Sequence, residues 1–195
     1  SALSEDADGW SIVGDPTEAA MLVAATKAGP ELVRDVRTAP RLATIPFSSD
    51  RQYMATLHLL DDSGHVVLVK GSVERMLQMC DTQMGDDGGL GPLDRAAVLA
   101  AAEQLAAQGF RVLATAVRRD ADPEGFDERT LPGTLAFTAL QAMLDPPRAA
   151  AGPAVAACHS AGIAVKMITG DHAGTASAIA TDVGVLDSAG PSGVD

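Results

Sequence analysis

The sequence predicts a mixed α/β fold, in which an antiparallel sheet with flanking helices precedes a βα segment. Three observations carry that reading. Two apolar or alternating runs, Met54 to Leu60 and Val66 to Val69, flank Asp61-Asp62-Ser63-Gly64, which is a hairpin signature. Alanine-rich helical stretches carry their own start and stop signals. After Asp145-Pro146-Pro147-Arg148 the order becomes helix, strand, loop, helix, the alternation of a parallel sheet. That change sets an expected boundary: one domain over residues 1–143, part of another over 144–195.

The elements follow in order. Trp10 to Val13 is strand-like. Asp15 is placed to cap a helix, with Pro16 at its first position and Glu18 at its third, where a capping-box carboxylate belongs. That helix runs to Lys27 and stops at Gly29-Pro30, and a shorter helix covers Glu31 to Val36. Leu42 to Pro46 is extended, and the hairpin comes next. Its second strand closes at Lys70-Gly71, and Ser72 caps a helix over Val73 to Cys80. Met84 to Pro92 reads as a flexible loop. A long helix over Pro92 to Gln108 ends at Gly109. Phe110 to Val117 reads as a strand, Asp120 to Thr130 as a polar connection, and Leu135 to Met143 as a strand. Ala149 to Ser160 is a helix, Ile163 to Ile168 a strand, and Ala173 to Val183 a helix.

Composition removes several functions. Fourteen Lys and Arg face 26 Asp and Glu, for a formal net charge of -12. That acidity makes nucleic acids and anionic membrane surfaces poor partners. No apolar run approaches the roughly 18–20 residues of a spanning helix, so no direct membrane contact is expected. Cys80 and Cys158 are isolated, and the four histidines show no ligand spacing, so neither a disulfide framework nor a metal centre is expected. Only three cations are lysines: Lys27, Lys70 and Lys166. The place where a lysine sits is therefore informative.

A few residues can carry chemistry. Phe47, beside Ser48, Ser49 and Arg51, suits stacking on a planar ring or a core position at a strand end. Lys70 ends a valine-rich strand, where it either reaches solvent or points into a cleft. Gly71 beside it permits close backbone approach. Glu18 is a capping residue whose carboxylate can also accept from an exocyclic amine. Arg111 contacts phosphate or covers a sheet edge. Thr169-Gly170-Asp171 follows a Val/Ile run and precedes a helix. Such a turn suits phosphate and Mg²⁺, or is a plain turn with an Asp cap.

Taken in order, six motifs are more specific than any one. Gly14-Asp15-Pro16-Thr17-Glu18, Pro46-Phe47-Ser48-Ser49-Asp50-Arg51, Val69-Lys70-Gly71-Ser72, Gly109-Phe110-Arg111-Val112-Leu113, Asp145-Pro146-Pro147-Arg148 and Thr169-Gly170-Asp171-His172 stand in one series. This series resembles the cytoplasmic catalytic region of P-type cation-transporting ATPases, most of all their calcium-pump-like branch. The resemblance implies a nucleotide-binding domain followed by part of a Rossmann-like, haloacid-dehalogenase-type phosphorylation domain. It implies ATP and ADP as ligands, with Phe47 stacking on adenine, Glu18 holding its amino group, and Lys70 and Gly71 lining the deep end. Arg111 would bind ribose or phosphates, and Leu113 would flank the base. Asp145 and Arg148 would form the hinge, and Thr169, Gly170 and Asp171 would meet the γ-phosphate and Mg²⁺. The family often has a lysine five positions after the stacking Phe; here Gln52 stands there, and the resemblance implies that its phosphate contact falls to Gln52 or shifts to Arg51 beside it.

The series also implies limits. The Asp-Lys-Thr-Gly-Thr motif that accepts phosphate in this family does not occur in the sequence, nor does its later Gly-Asp-Gly-Val-Asn-Asp motif. The chain therefore reads as a soluble piece from the cytoplasmic side of a membrane pump, with no catalytic residue of its own. Its partners would be the actuator, phosphorylation and transmembrane domains. The alternative is an acidic protein-interaction module with a vestigial pocket. A free-standing phosphatase would need an Asp-x-Asp on an apolar strand, whereas Asp120-Ala121-Asp122 lies in the polar connection.

Overall fold

The computed structural model describes residues 2–6, 9–29, 39–60, 64–119, 121–144, 147–169 and 173–186. The expected helix over Glu31 to Val36 lies outside them. The chain forms two units, one of residues 1–95 and 113–141 and one of residues 96–112 and 142–195.

In the first unit, β1 (Ala2–Asp6) and β2 (Gly9–Val13) form an antiparallel hairpin. Helix α1 (Pro16–Ala28) starts as the sequence predicts: Asp15 Oδ1 accepts from the Glu18 N–H at 3.1 Å. That bond holds the Asp15 carboxyl below its usual 3.8. The main sheet has seven strands: β3 (Arg41–Ile45), β4 (Tyr53–Leu60), β5 (Gly64–Gly71), β6 (Cys80–Met84), β7 (Leu90–Pro92), β8 (Arg111–Arg119) and β9 (Leu135–Met143). Their order is β3-β4-β5-β8-β9-β6-β7.

The predicted hairpin is the antiparallel pair β4–β5, in unbroken register from Tyr53–Gly71 to Leu60–Gly64. Three strands, β1, β6 and β7, are absent from the sequence reading. Cys80, expected to end a helix, opens β6; the helix before it is α2 (Val73–Met79), capped by Ser72 as expected. Strand β6 pairs in parallel with β9, so the sheet is not antiparallel throughout. The polar run Cys80-Asp81-Thr82-Gln83-Met84 has no strand pattern of its own; a distant partner makes it a strand. β7 likewise forms inside the stretch expected to be loop, by pairing with β6.

The core gathers Tyr53, Leu57, Val67, Met76, Met79, Leu131 and Leu135, all nearly inaccessible. Burial pushes the Cys80 thiol up to about 12, and neighbouring Arg95 pulls it only partly back. Arg95 also donates to the carbonyls of Leu77 and Cys80, at 3.2 and 2.8 Å, where α2 gives way to β6.

The second unit contains helices α3 (Arg95–Ala107), α4 (Ala151–Ser160) and α5 (Ala173–Asp182). Gly109 follows α3 at φ +86, a left-handed conformation suited to glycine. Buried Thr175 donates from Oγ1 to the Phe110 carbonyl at 2.9 Å, tying α5 to the turn after α3. The strand expected over Ile163 to Ile168 does not form. No described segment pairs with it, and Ile168 is 96% exposed. Without a ladder partner among the described residues, the run forms no strand. No described helix is long and apolar enough to cross a membrane.

Candidate functional site: a cleft between α1 and the sheet

Register builds the site. Met54, Lys70 and Thr115 stand abreast across β4, β5 and β8. Thr56, Leu68 and Val117 form the next row, and His58, Val66 and Arg119 the third. Side chains alternate across a strand, so these nine share one face. The residues between them, including Ala55, Leu57, Val67, Val69, Ala114 and Ala116, share the other and are buried in the core.

Helix α1 lies over the first face. Its Glu18, Met21 and Leu22, spaced i, i+3, i+4, form one stripe and line a cleft of about 560 Å³ with the sheet residues. That volume falls within the range of small-molecule sites. The walls are mostly apolar: Met21, Leu22, Met54, Leu68 and Val117. Methionines adapt to flat, irregular ligands. Polar groups converge at defined points. Thr115 and Thr138 share a hydroxyl–hydroxyl hydrogen bond at 2.8 Å, and Thr115 also donates to the Ala139 carbonyl at 3.2 Å. Arg41 and Arg119 also line the cleft.

The most informative contact is that of Lys70 with Glu18. Lys70 Nζ donates to Glu18 Oε1 at 2.9 Å, with side chains 23% and 34% exposed. Lys70 therefore points into the cleft, the second of the two outcomes the sequence leaves open. A partly hydrated pair of this kind contributes only about 0–1 kcal/mol. It sets a donor and an acceptor side by side and costs little to rearrange around a ligand.

Phe47 leaves the sheet at the Lys70 end. It lies two residues beyond Ile45, whose partner Ala55 is adjacent to Met54. Its ring is 62% exposed, so it is not a core residue. The turn that carries it is tightly built. The Gln52 N–H donates to the Ser48 carbonyl at 2.8 Å, and the Arg51 N–H to Ser48 Oγ at 3.2 Å. Arg51 Nη1 donates to Glu128 Oε2 at 2.9 Å, and Nη2 to the Pro46 carbonyl at 2.7 Å. Gln52 adopts φ +59, a conformation uncommon for a residue with a Cβ.

Gly71 has a reason of its own. A Cβ there would lie 2.5 Å from the Gln52 carbonyl oxygen and 2.8 Å from Tyr53 Cβ. The Ser72 N–H donates to that same carbonyl at 3.0 Å. The glycine lets the Phe47-bearing turn seat against the strand end that holds Lys70.

The other expected residues are more scattered. Half-buried Leu113 lies two positions before Thr115, so alternation puts it on the cleft face. Arg111 is exposed where β8 begins, within the second unit. Arg148 and Thr169 are exposed. Asp145, Gly170 and Asp171 lie outside the described residues. Among the described residues no three His, Cys, Asp or Glu side chains gather as a metal site. Sequence reasoning missed Met21, Met54, Thr115, Thr138, Arg41, Arg119 and Glu128. Period-two alternation along β4 and β8 marks Met54 and Thr115, whereas Glu128 sits in a polar connection with no pattern to single it out.

Comparison with known proteins follows the same lines. A family described as "P-type ATPase, cytoplasmic domain N" matches residues 1–150. The chain is 65% identical over 191 residues to "Probable cation-transporting ATPase F" of Mycobacterium tuberculosis, covering 97% of this chain and 21% of that protein. It is 48% identical over 187 residues to "Cation-transporting ATPase pma1" of Synechocystis, covering 95% and 20%. It is 37% identical over 184 residues to the human "Sodium/potassium-transporting ATPase subunit alpha-4", covering 89% and 18%. The chain thus spans about a fifth of the length of these relatives.

Proposed function

Because the chain belongs to the P-type cation-transporting ATPase family, we propose that it binds the adenine nucleotide that drives such a pump. The observation that carries this reading is the Glu18–Lys70 pair, at the end of the cleft from which Phe47 leaves the sheet. Adenine presents a donor amine beside ring-nitrogen acceptors. A carboxylate and an ammonium 2.9 Å apart match that pattern once each turns toward the base. Phe47 offers a ring face for stacking. Leu113 flanks the base, and Arg111 takes ribose or phosphate; both roles rest on the family resemblance.

In this reading ATP or ADP is the ligand of residues 1–143, and residues 144–195 begin the phosphorylation domain. Within a whole pump the γ-phosphate passes to an aspartate in a motif this sequence lacks. Mg²⁺ neutralises phosphate charge in such transfers. On the same resemblance Thr169, Gly170 and Asp171 face the γ-phosphate and Mg²⁺. The chain alone binds nucleotide without hydrolysing it, on the cytoplasmic side of the membrane. The remaining domains of the pump are its partners. One stacking contact with a few hydrogen bonds supports a Kd of roughly 0.1–1 mM.

ATP titration followed by amide NMR tests this. Shifts are expected at Glu18, Phe47 and Lys70, and Phe47→Ala should remove them while the rest of the spectrum stays native. A spectrum unchanged at several millimolar ATP would sink the nucleotide reading. Capture of a protein partner by such an unresponsive chain would favour the interaction-module alternative.

A further inference from the structure

Arg51 is the residue that the sequence offers as a substitute phosphate contact, beside Gln52 where relatives of this kind often have lysine. Its side chain is arranged for a different task. Each terminal nitrogen already donates a hydrogen bond, one to Glu128 Oε2 at 2.9 Å and one to the Pro46 carbonyl at 2.7 Å. Its Nε is buried without a hydrogen-bond partner among the described residues, and the side chain as a whole is only 29% exposed. The guanidinium is folded back onto its own turn rather than extended toward solvent.

Those two bonds close a loop around Phe47. The Pro46 carbonyl belongs to the residue before the phenylalanine, and Ser48, the residue after it, accepts from the backbone N–H groups of Arg51 and Gln52. Glu128 is 77 positions away along the chain, in the connection between β8 and β9. From the other side the Gln52 carbonyl is held by Ser72 and packed against Gly71. An exposed aromatic on an untethered turn would sample many positions. Here the residues on both sides of it are fastened to the sheet unit.

We propose that Arg51 is a positioning residue, which clamps the 46–52 turn to Glu128 so that the exposed Phe47 ring is presented as a preformed stacking face. This rests on the nucleotide reading above, since the face is useful only to a planar ligand. Loss of the clamp lowers the fraction of molecules with Phe47 in place, and apparent affinity falls by that fraction whatever the ligand's charge. A direct phosphate contact behaves differently, because it acts only on ligands that carry phosphate.

Adenosine and ATP distinguish the two. The wild-type chain, Arg51→Met and Glu128→Ala are each titrated with both ligands by NMR, and heteronuclear relaxation is recorded for the amides of Phe47 to Gln52 without ligand. If the clamp positions Phe47, both variants weaken adenosine and ATP by a common factor of about three to ten. The turn amides also become more mobile in both. The idea is overturned if Arg51→Met weakens ATP alone while Glu128→Ala, by releasing the guanidinium, strengthens it. It is equally overturned if wild-type protein binds adenosine and neither variant changes affinity or mobility. Should Arg51→Met fail to fold, the half-exposed Glu128 position still decides the matter. Wild-type chain that binds neither ligand removes the nucleotide reading itself, and this inference with it.

Discussion

Val69-Lys70-Gly71 and Val165-Lys166-Met167 are similar in sequence and opposite in structure. Each contains a lysine directly after a valine of an aliphatic run. The first lies in β5, bonded to β4 on one side and β8 on the other, and its lysine is directed at Glu18. The second has no ladder partner among the described residues, and Lys166 is exposed. Valine and isoleucine therefore do not make a strand by themselves. Neighbours that satisfy the backbone do, and the same neighbours give a lysine one direction to point.

The glycines near each segment provide the largest test of that contrast. Gly71 has no room for a methyl group, because the Gln52 carbonyl and Tyr53 occupy it. Gly162 has open space around it and only its φ of +71 to resist substitution. Gly71→Ala is expected to destabilise the first unit by about 3 kcal/mol. Gly162→Ala is expected to cost about 1 kcal/mol, from left-handed backbone strain alone. Urea unfolding followed at resolved amide peaks of each unit measures both. Equal losses would mean that the strand end is no more tightly packed than the unpaired segment.

The same contrast explains what the sequence could and could not reveal. Local signals were sufficient for the β4–β5 hairpin, for the Asp15 and Ser72 caps and for the Gly109 stop, because each depends on neighbouring residues. The partnership of Lys70 with Glu18 spans 52 positions and depends on where α1 docks, so no local pattern shows it. β6 was invisible for the same reason: its polar run becomes a strand only beside β9. The run over 163–168 fails in the opposite direction, carrying a strand pattern with no described partner. At Phe47 the residue type is ambiguous, and only its exposure excludes a core ring. Arg51 was legible as a cation near the site, but its bond to Glu128 was not.

Helix starts extend the comparison at a smaller scale. α1 begins with a side-chain cap, whereas Ala150 before α4 makes no side-chain cap bond. Asp15→Ala is therefore expected to cost about 1 kcal/mol near neutral pH. The carboxyl is held below its ordinary value by the Glu18 N–H, so the folded state favours the charged form. Its contribution is present above the unfolded value of 3.8 and fades as pH falls through the lower folded value. The wild type and Asp15→Ala should converge in stability below that point. A difference that persists undiminished in strong acid would show that the cap acts by something other than its charge.

The smallest expected effect is one in which two terms oppose. Gly152 lies in α4 with nothing within 4 Å of where a Cβ would be, and its φ is not left-handed. Alanine there meets nothing across space and removes conformational freedom from the unfolded chain, but its Cβ would stand just before Pro153, which disfavours the helical region, so Gly152→Ala should change the stability of the second unit by less than about 0.5 kcal/mol. The chemical change is the one that harms Gly71, which isolates surroundings as the cause. Amide peaks of α4 in a urea series give the readout, with little change there and none in β4 or β5. A loss as large as that expected at Gly71 would mean that this helix is packed more closely than its open surface indicates, and the contrast between the two regions would narrow.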